Sequence, residues 1–151
     1  MVFVANALRF SCLGLAVAAL GTALPAQAAA DFRGPVAATV LHVIDGDTFL
    51  ADAIVWPGQS VRVNVRIRGI DAPEMKSRCP AEHDAALLAR DVLEDLLGKG
   101  SVSISNIGGA KYYGRVLADV ATQDGAPVAD EMLSRNLVRP YSGGRRQGWC
   151  G

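Results

Sequence analysis

Two short runs hold the side chains whose types and spacing could do chemistry. Asp45-Gly46-Asp47-Thr48 follows the β-branched stretch Thr39 to Ile44, and Asp71-Ala72-Pro73-Glu74 follows the alternating stretch Val61 to Arg68. Strand ends are where a closed sheet can bring distant carboxylates together. Hard divalent cations take several oxygens at about 2.0 to 2.6 Å, and two or three carboxylates with backbone carbonyls and water would satisfy calcium. Pro73 fixes the turn that would aim Glu74 back at such a site. Asp-Gly-Asp on its own is more often an ordinary hairpin turn. An EF-hand is excluded, because the twelfth residue counted from Asp45 is Trp56 where a bidentate Glu should stand. His42 and His83 occupy neither run and read as surface or packing residues. Cys79 and His83 have a metal-like spacing but no second pair, so zinc is not expected.

The elements that must position these residues follow from periodicity. Thr39 to Ile44 and Thr48 to Val55 read as strands, and a Pro-Gly turn at Trp56 to Gln59 leads into Val61 to Arg68, which alternates apolar and polar over eight residues. One face of that third strand sends Val61, Val63, Val65 and Ile67 toward a core, while Arg62, Asn64, Arg66 and Arg68 share the other, where three arginines can line a concave surface. A helix opens at Pro80, Glu82 and Asp84, spans about Ala81 to Leu97 and closes at Gly98. Leu88, Val92 and Leu96, with Ala85, Ala89 and Leu93 beside them, make its apolar stripe. Ser101 to Ile107 and Arg115 to Ala121 are two more strands, Val128 to Arg135 is a short helix ending at Asn136, and Leu137 to Tyr141 is briefly extended. Five short strands with a helix after the third predict a mainly β, α+β fold: a five-stranded Greek-key barrel of the OB type with two packed helices.

Residues 1 to 28 stand apart. They are apolar at 20 of 28 positions, carry Arg9 as their only charge, and end in Ala26-Gln27-Ala28, the small-residue spacing of a signal-peptidase site. The expectation is a signal peptide over 1–28, a barrel domain over 35–141, and a loop-like tail over 142–151, with the product periplasmic or secreted. A retained anchor is the poorer reading, since Leu13 to Leu24 is short for a bilayer of roughly 30 Å. The mature chain would carry 14 basic against 15 acidic residues, so bulk charge does not attract a polyanion and any such contact must come from local arginines. Two cysteines would remain after export, Cys79 and Cys150, in a compartment where thiols oxidise, and they are expected to pair.

Three segments in order carry a resemblance: Val43 to Phe49 (VIDGDTF), Val65 to Glu74 (VRIRGIDAPE) and Lys111 to Arg115 (KYYGR). From about Pro35 to Tyr141 the chain resembles the staphylococcal (thermonuclease) nuclease family. That resemblance implies an OB-type barrel and a calcium-dependent phosphodiesterase acting on DNA and RNA, single strands favoured, as a monomer with no stable protein partner and leaving 3′-phosphate ends. It matches Asp47 and Asp71 to the calcium carboxylates and the carbonyl of Ala72 to a third ligand. Glu74 matches the residue that acts on the attacking water, Arg66 and Arg115 the arginines that grip the phosphate, Tyr113 a substrate contact and Asp45 an acidic position behind the metal ligands. Phosphodiester hydrolysis needs a metal, planar cationic donors and a base, and these residues supply the protein's share. The rivals are a catalytically silent OB module that binds nucleic acid and a calcium-stabilised envelope protein. The joint presence of Asp47, Asp71, Glu74, Arg66 and Arg115 favours the enzyme. The chain departs from the family in lacking a long C-terminal helix and a lysine-rich loop after Glu74.

Overall fold

The computed structural model describes residues 31–98, 100–112 and 114–150. The proposed leader over 1–28 and the candidate substrate contact Tyr113 therefore lie outside the described residues. Strands β1 (Val36–Asp45), β2 (Thr48–Trp56), β3 (Gln59–Ile67), β5 (Ser101–Gly109) and β6 (Arg115–Ala121) close into a barrel in the order β1-β2-β3-β6-β5. Every pair is antiparallel except β3 with β6, which run parallel from Asn64 opposite Arg115 to Ile67 opposite Ala118. Two short strands, β4 (Ile70–Asp71) and β7 (Arg139–Pro140), pair outside the barrel and tie the Asp71 turn to the C-terminal segment. Helix α1 (Pro80–Leu97) packs on the barrel and touches α2 (Val128–Ser134).

The core is the barrel interior together with the inner faces of both helices. Phe49, Ile67, Ile70, Leu93, Ile104 and Met132 are its largest members and are almost wholly buried. β1 has register shifts at Val40/His42 and Val43/Asp45, the irregularity that bends a strand round a small barrel. It also starts three residues earlier than its β-branched content suggested, because Val36 to Thr39 pairs with β5.

Two details depart from the periodic reading. Val61 is 50% exposed, since the β2–β3 hairpin outruns the barrel: Ile54, Val55 and Trp56 beyond it are exposed too, and β3 reaches the core only from Val63 onward, with Val65 and Ile67 fully buried. In α1, Leu88 is 56% exposed, and the buried stripe is Ala86, Ala89, Leu93 and Leu97. The reason is close approach. A Cβ placed on Gly46 would lie 2.7 Å from the Ala89 methyl, so the helix face nearest the β1–β2 turn must be built from alanines, and the larger Leu88 turns outward.

Candidate active site

The β1–β2 turn is a two-residue hairpin, Gly46-Asp47, closed by the pairing of Asp45 with Thr48. Gly46 is held between Ala89 of α1 and Ala72, whose Cβ would be 2.9 Å from its own. The absence of a side chain there brings the two acidic runs together. Asp47, 2% exposed, is the hub of the contact. Its Oδ2 accepts the Ala72 N–H at 2.9 Å and its Oδ1 accepts the Thr48 hydroxyl at 2.7 Å. Arg66, opposite Thr48 on β3, pairs with Asp47 through Nη1, and its Nη2 donates to Asp71 at 3.3 Å and to the Ile70 carbonyl at 3.2 Å. One guanidinium thus holds both carboxylates.

Asp45 lies directly behind Asp47, whose N–H it accepts at 3.0 Å. Burial, and then the neighbouring charge of Asp47, push its carboxyl up to about 6. Glu74 is the exposed member of the group at 57%. Pro73 beside it is fully buried, and Glu82 in the first turn of α1 fixes the backbone, its Oε1 accepting the Glu74 N–H at 3.2 Å while Oε2 accepts the Ser77 hydroxyl at 2.7 Å. The Glu74 carboxylate pairs with Arg146.

Asp45, Asp47, Arg66, Ala72, Glu74 and Arg115 border one open cleft of about 790 Å³. Arg115 sits at the head of β6, 4.7 Å over the ring of Tyr112, and its Nε is buried with no hydrogen-bond partner among the described residues. The three arginines of β3 part company. Arg62 pairs with Asp52 on the exposed hairpin, Arg68 is spent on Asp31, Asp119 and the Leu117 carbonyl, and only Arg66 serves the carboxylates. Cys79 is bonded to Cys150 with Cα atoms 6.4 Å apart, so it is no metal ligand, and His83 contacts the Met75 carbonyl at 2.9 Å.

Tyr141 and Arg146 also line the cleft, and both lie outside the three motifs. Arg146 had one available signal. A bridge between Cys79 and Cys150 brings the tail to the start of α1, only a few residues beyond Glu74.

No three His, Cys, Asp or Glu side chains converge as a metal cluster among the described residues. What converges is smaller and harder: the carboxylates of Asp47 and Asp71 and the carbonyl of Ala72. All three already accept bonds from cationic or N–H donors. An all-oxygen, electron-rich group that draws positive charge fits calcium.

The fold and cleft together define an OB-type barrel with a cleft beside which buried carboxylates are flanked by arginines. The model of the staphylococcal nuclease homologue family matches residues 64–144, and the chain belongs to that family. The match takes in Arg66, Asp71, Ala72, Glu74 and Arg115 and begins after Asp45 and Asp47. A search of curated proteins found no match. Family membership implies a nuclease-like or nucleic-acid-binding function, and members are typically calcium-dependent.

Proposed function

We propose that this chain is an exported, calcium-dependent nuclease that hydrolyses phosphodiester bonds of DNA and RNA and leaves 3′-phosphate ends. The observation that carries the reading is the shared cleft. Asp47 and Asp71, both buried, are held on Arg66, and Asp47, Arg66, the exposed Glu74 and Arg115 border the same cleft. Asp47, Asp71 and the Ala72 carbonyl would hold the calcium. When bound, the ion supplies polarisation of the phosphoryl oxygen. Arg66 and Arg115 bind the phosphate and stabilise the charge that grows on it in the transition state. Glu74 takes a proton from the attacking water, whose oxygen bonds to phosphorus as the bond to the 5′-oxygen breaks and that oxygen is protonated. No step uses the 2′-hydroxyl, so DNA and RNA are equivalent substrates and no 2′,3′-cyclic product forms.

One observation favours a catalytically silent, nucleic-acid-binding barrel instead: Arg146 lies on Asp71, Ala72 and Glu74. Incubating the protein with single-stranded DNA and with RNA, in calcium and in chelator, separates the two. The nuclease cleaves both polymers only in calcium, and Glu74→Gln slows it by about 10² or more while nucleic-acid binding persists. Binding without cleavage, or cleavage undiminished in chelator, defeats the proposal. Export is tested by intact mass, with the mature chain expected to begin within a residue or two of Ala29.

A further inference from the structure

Arg146 reaches the carboxylates from 75 residues away in sequence. Its Nε lies 2.7 Å from Asp71 Oδ1 and 3.0 Å from Oδ2, its Nη2 donates to the Ala72 carbonyl at 2.6 Å, and its Nη1 pairs with the Glu74 carboxylate. The guanidinium therefore covers two of the three oxygen groups assigned to the metal and the carboxylate assigned to the water. The segment that carries it is fastened on both sides. Before it, the Tyr141 hydroxyl donates to the Gly144 carbonyl at 2.8 Å, and Gly143 and Gly144, at φ of 105° and 92°, turn the chain. After it, Arg139 donates to the Gly148 carbonyl at 3.0 Å and lies 3.9 Å over the Trp149 ring, and Cys150 is bonded to Cys79.

We propose that Arg146 is a built-in cation that competes with calcium for this cluster, neutralising it and covering Glu74 in the metal-free protein and withdrawing when calcium binds. The inference rests on the calcium-dependent reading above. A guanidinium and a divalent ion sharing Asp71 and the Ala72 carbonyl would stand within a few ångströms of each other beside buried groups, where water screens their repulsion poorly. Both cannot keep their bonds. Of the two arginines on the cluster, Arg146 is the one that can leave, being 38% exposed on a loop where Arg66 is 18% exposed within a strand. Its departure uncovers the Glu74 carboxylate in the same step. By linkage, whatever calcium does to the docking of Arg146, that docking does to calcium. An arginine docked about nine times in ten weakens apparent calcium affinity about tenfold.

The test is a calcium titration by calorimetry, with the melting temperature followed in chelator and in calcium, on the wild-type chain, Arg146→Ala, Arg146→Gln and Arg145→Ala, with Asp71→Asn as the reference for loss of a ligand. Both Arg146 variants should bind calcium about tenfold tighter and show a larger calcium-induced rise in melting temperature. Arg145→Ala should match wild type. Calcium bound by the Arg146 variants alone would be the strongest support. If wild type binds calcium, Asp71→Asn weakens it, and the Arg146 variants bind no tighter than wild type, competition is overturned while the calcium site stands. If neither wild type nor any variant binds calcium above background, the calcium reading falls and the inference with it.

Discussion

Asp71 and Arg115 divide the labour at the level of single residues. Asp71 is almost buried and carries negative charge on a ligand oxygen, whereas Arg115 touches none of the described carboxylates and faces the cleft from the Tyr112 ring. Asp71→Asn should therefore weaken calcium binding, because a neutral amide replaces a hard anionic ligand. Arg115→Ala should leave calcium affinity nearly intact and lower turnover by about 10² or more through lost charge stabilisation. Calorimetry beside single-turnover rates checks both, and equal losses of calcium affinity would refute the division. Asp45 adds a pH signature to the metal-free chain. Its carboxyl sits at about 6 in the fold, raised by burial and then by Asp47, against an ordinary 3.8. Between about pH 4 and 6 the folded chain keeps a proton that the unfolded chain has released, so this group's contribution to stability is full below that window and lost as pH rises through it, at most roughly 3 kcal/mol. Asp45→Asn cannot lose it. Melting curves from pH 4 to 7 in chelator should fall more steeply for wild type than for the variant, and parallel curves would contradict the assignment. Asp47, Asp71 and Glu74 were legible because each stands in a short motif at a strand end. Arg146 is marked in the sequence only as one of a cluster with Arg135, Arg139 and Arg145, and nothing in that cluster tells that its side chain returns across the fold to the carboxylates.

At the scale of elements, alternation and helical spacing located every barrel strand and both helices, and erred on which faces are buried. Alternation in β3 is continuous, but burial depends on how far the neighbouring strands extend, and at Val61 only the protruding hairpin is beside it. The stripe of α1 was misread for a related reason. Leu93 and Leu97 are core, but near the β1–β2 turn the helix approaches too closely for a leucine, so Ala86 and Ala89 face inward there and Leu88 is exposed. The same contact yields a prediction. Gly46→Ala would set a methyl 2.7 Å from Ala89 Cβ and 2.9 Å from Ala72 Cβ, so helix, hairpin or the Asp71 turn must shift. Overpacking of this kind costs about 1–3 kcal/mol, and since the shift separates Asp47 from Ala72, calcium affinity should fall together with the melting temperature. Ala89→Gly in the same chain should recover part of both by removing one of the two opposing methyls. Gly46→Ala melting like wild type would mean that the turn is looser than its contacts indicate.

For the whole molecule, the segment after β7 is what reaches across the cleft: it folds back as a loop, passes the mouth of the cleft and is bonded through Cys150 to Cys79, immediately before α1. The cysteine pair was legible by count once residues 1–28 were read as a leader. Its second role was not, because the bridge also decides where Arg146, Trp149 and the tail can be. Joining residues 71 apart in sequence removes loop freedom from the unfolded chain and contributes up to roughly 4 kcal/mol on the chain-entropy account, less where the native geometry is strained. A core of roughly 120 residues can be built without a bridge, so the Cys79→Ser, Cys150→Ser double variant should still fold, with a clearly lower melting temperature. The loss should be similar in calcium and in chelator if the bridge acts mainly on the unfolded chain. A smaller loss in calcium than in chelator would instead show that the bridge stabilises the metal-free arrangement of the tail, since releasing the strap then removes a competitor for the metal as well as a crosslink. Non-reducing peptide mapping of the wild-type protein is the necessary companion measurement, and two free thiols there would remove the crosslink from the account altogether.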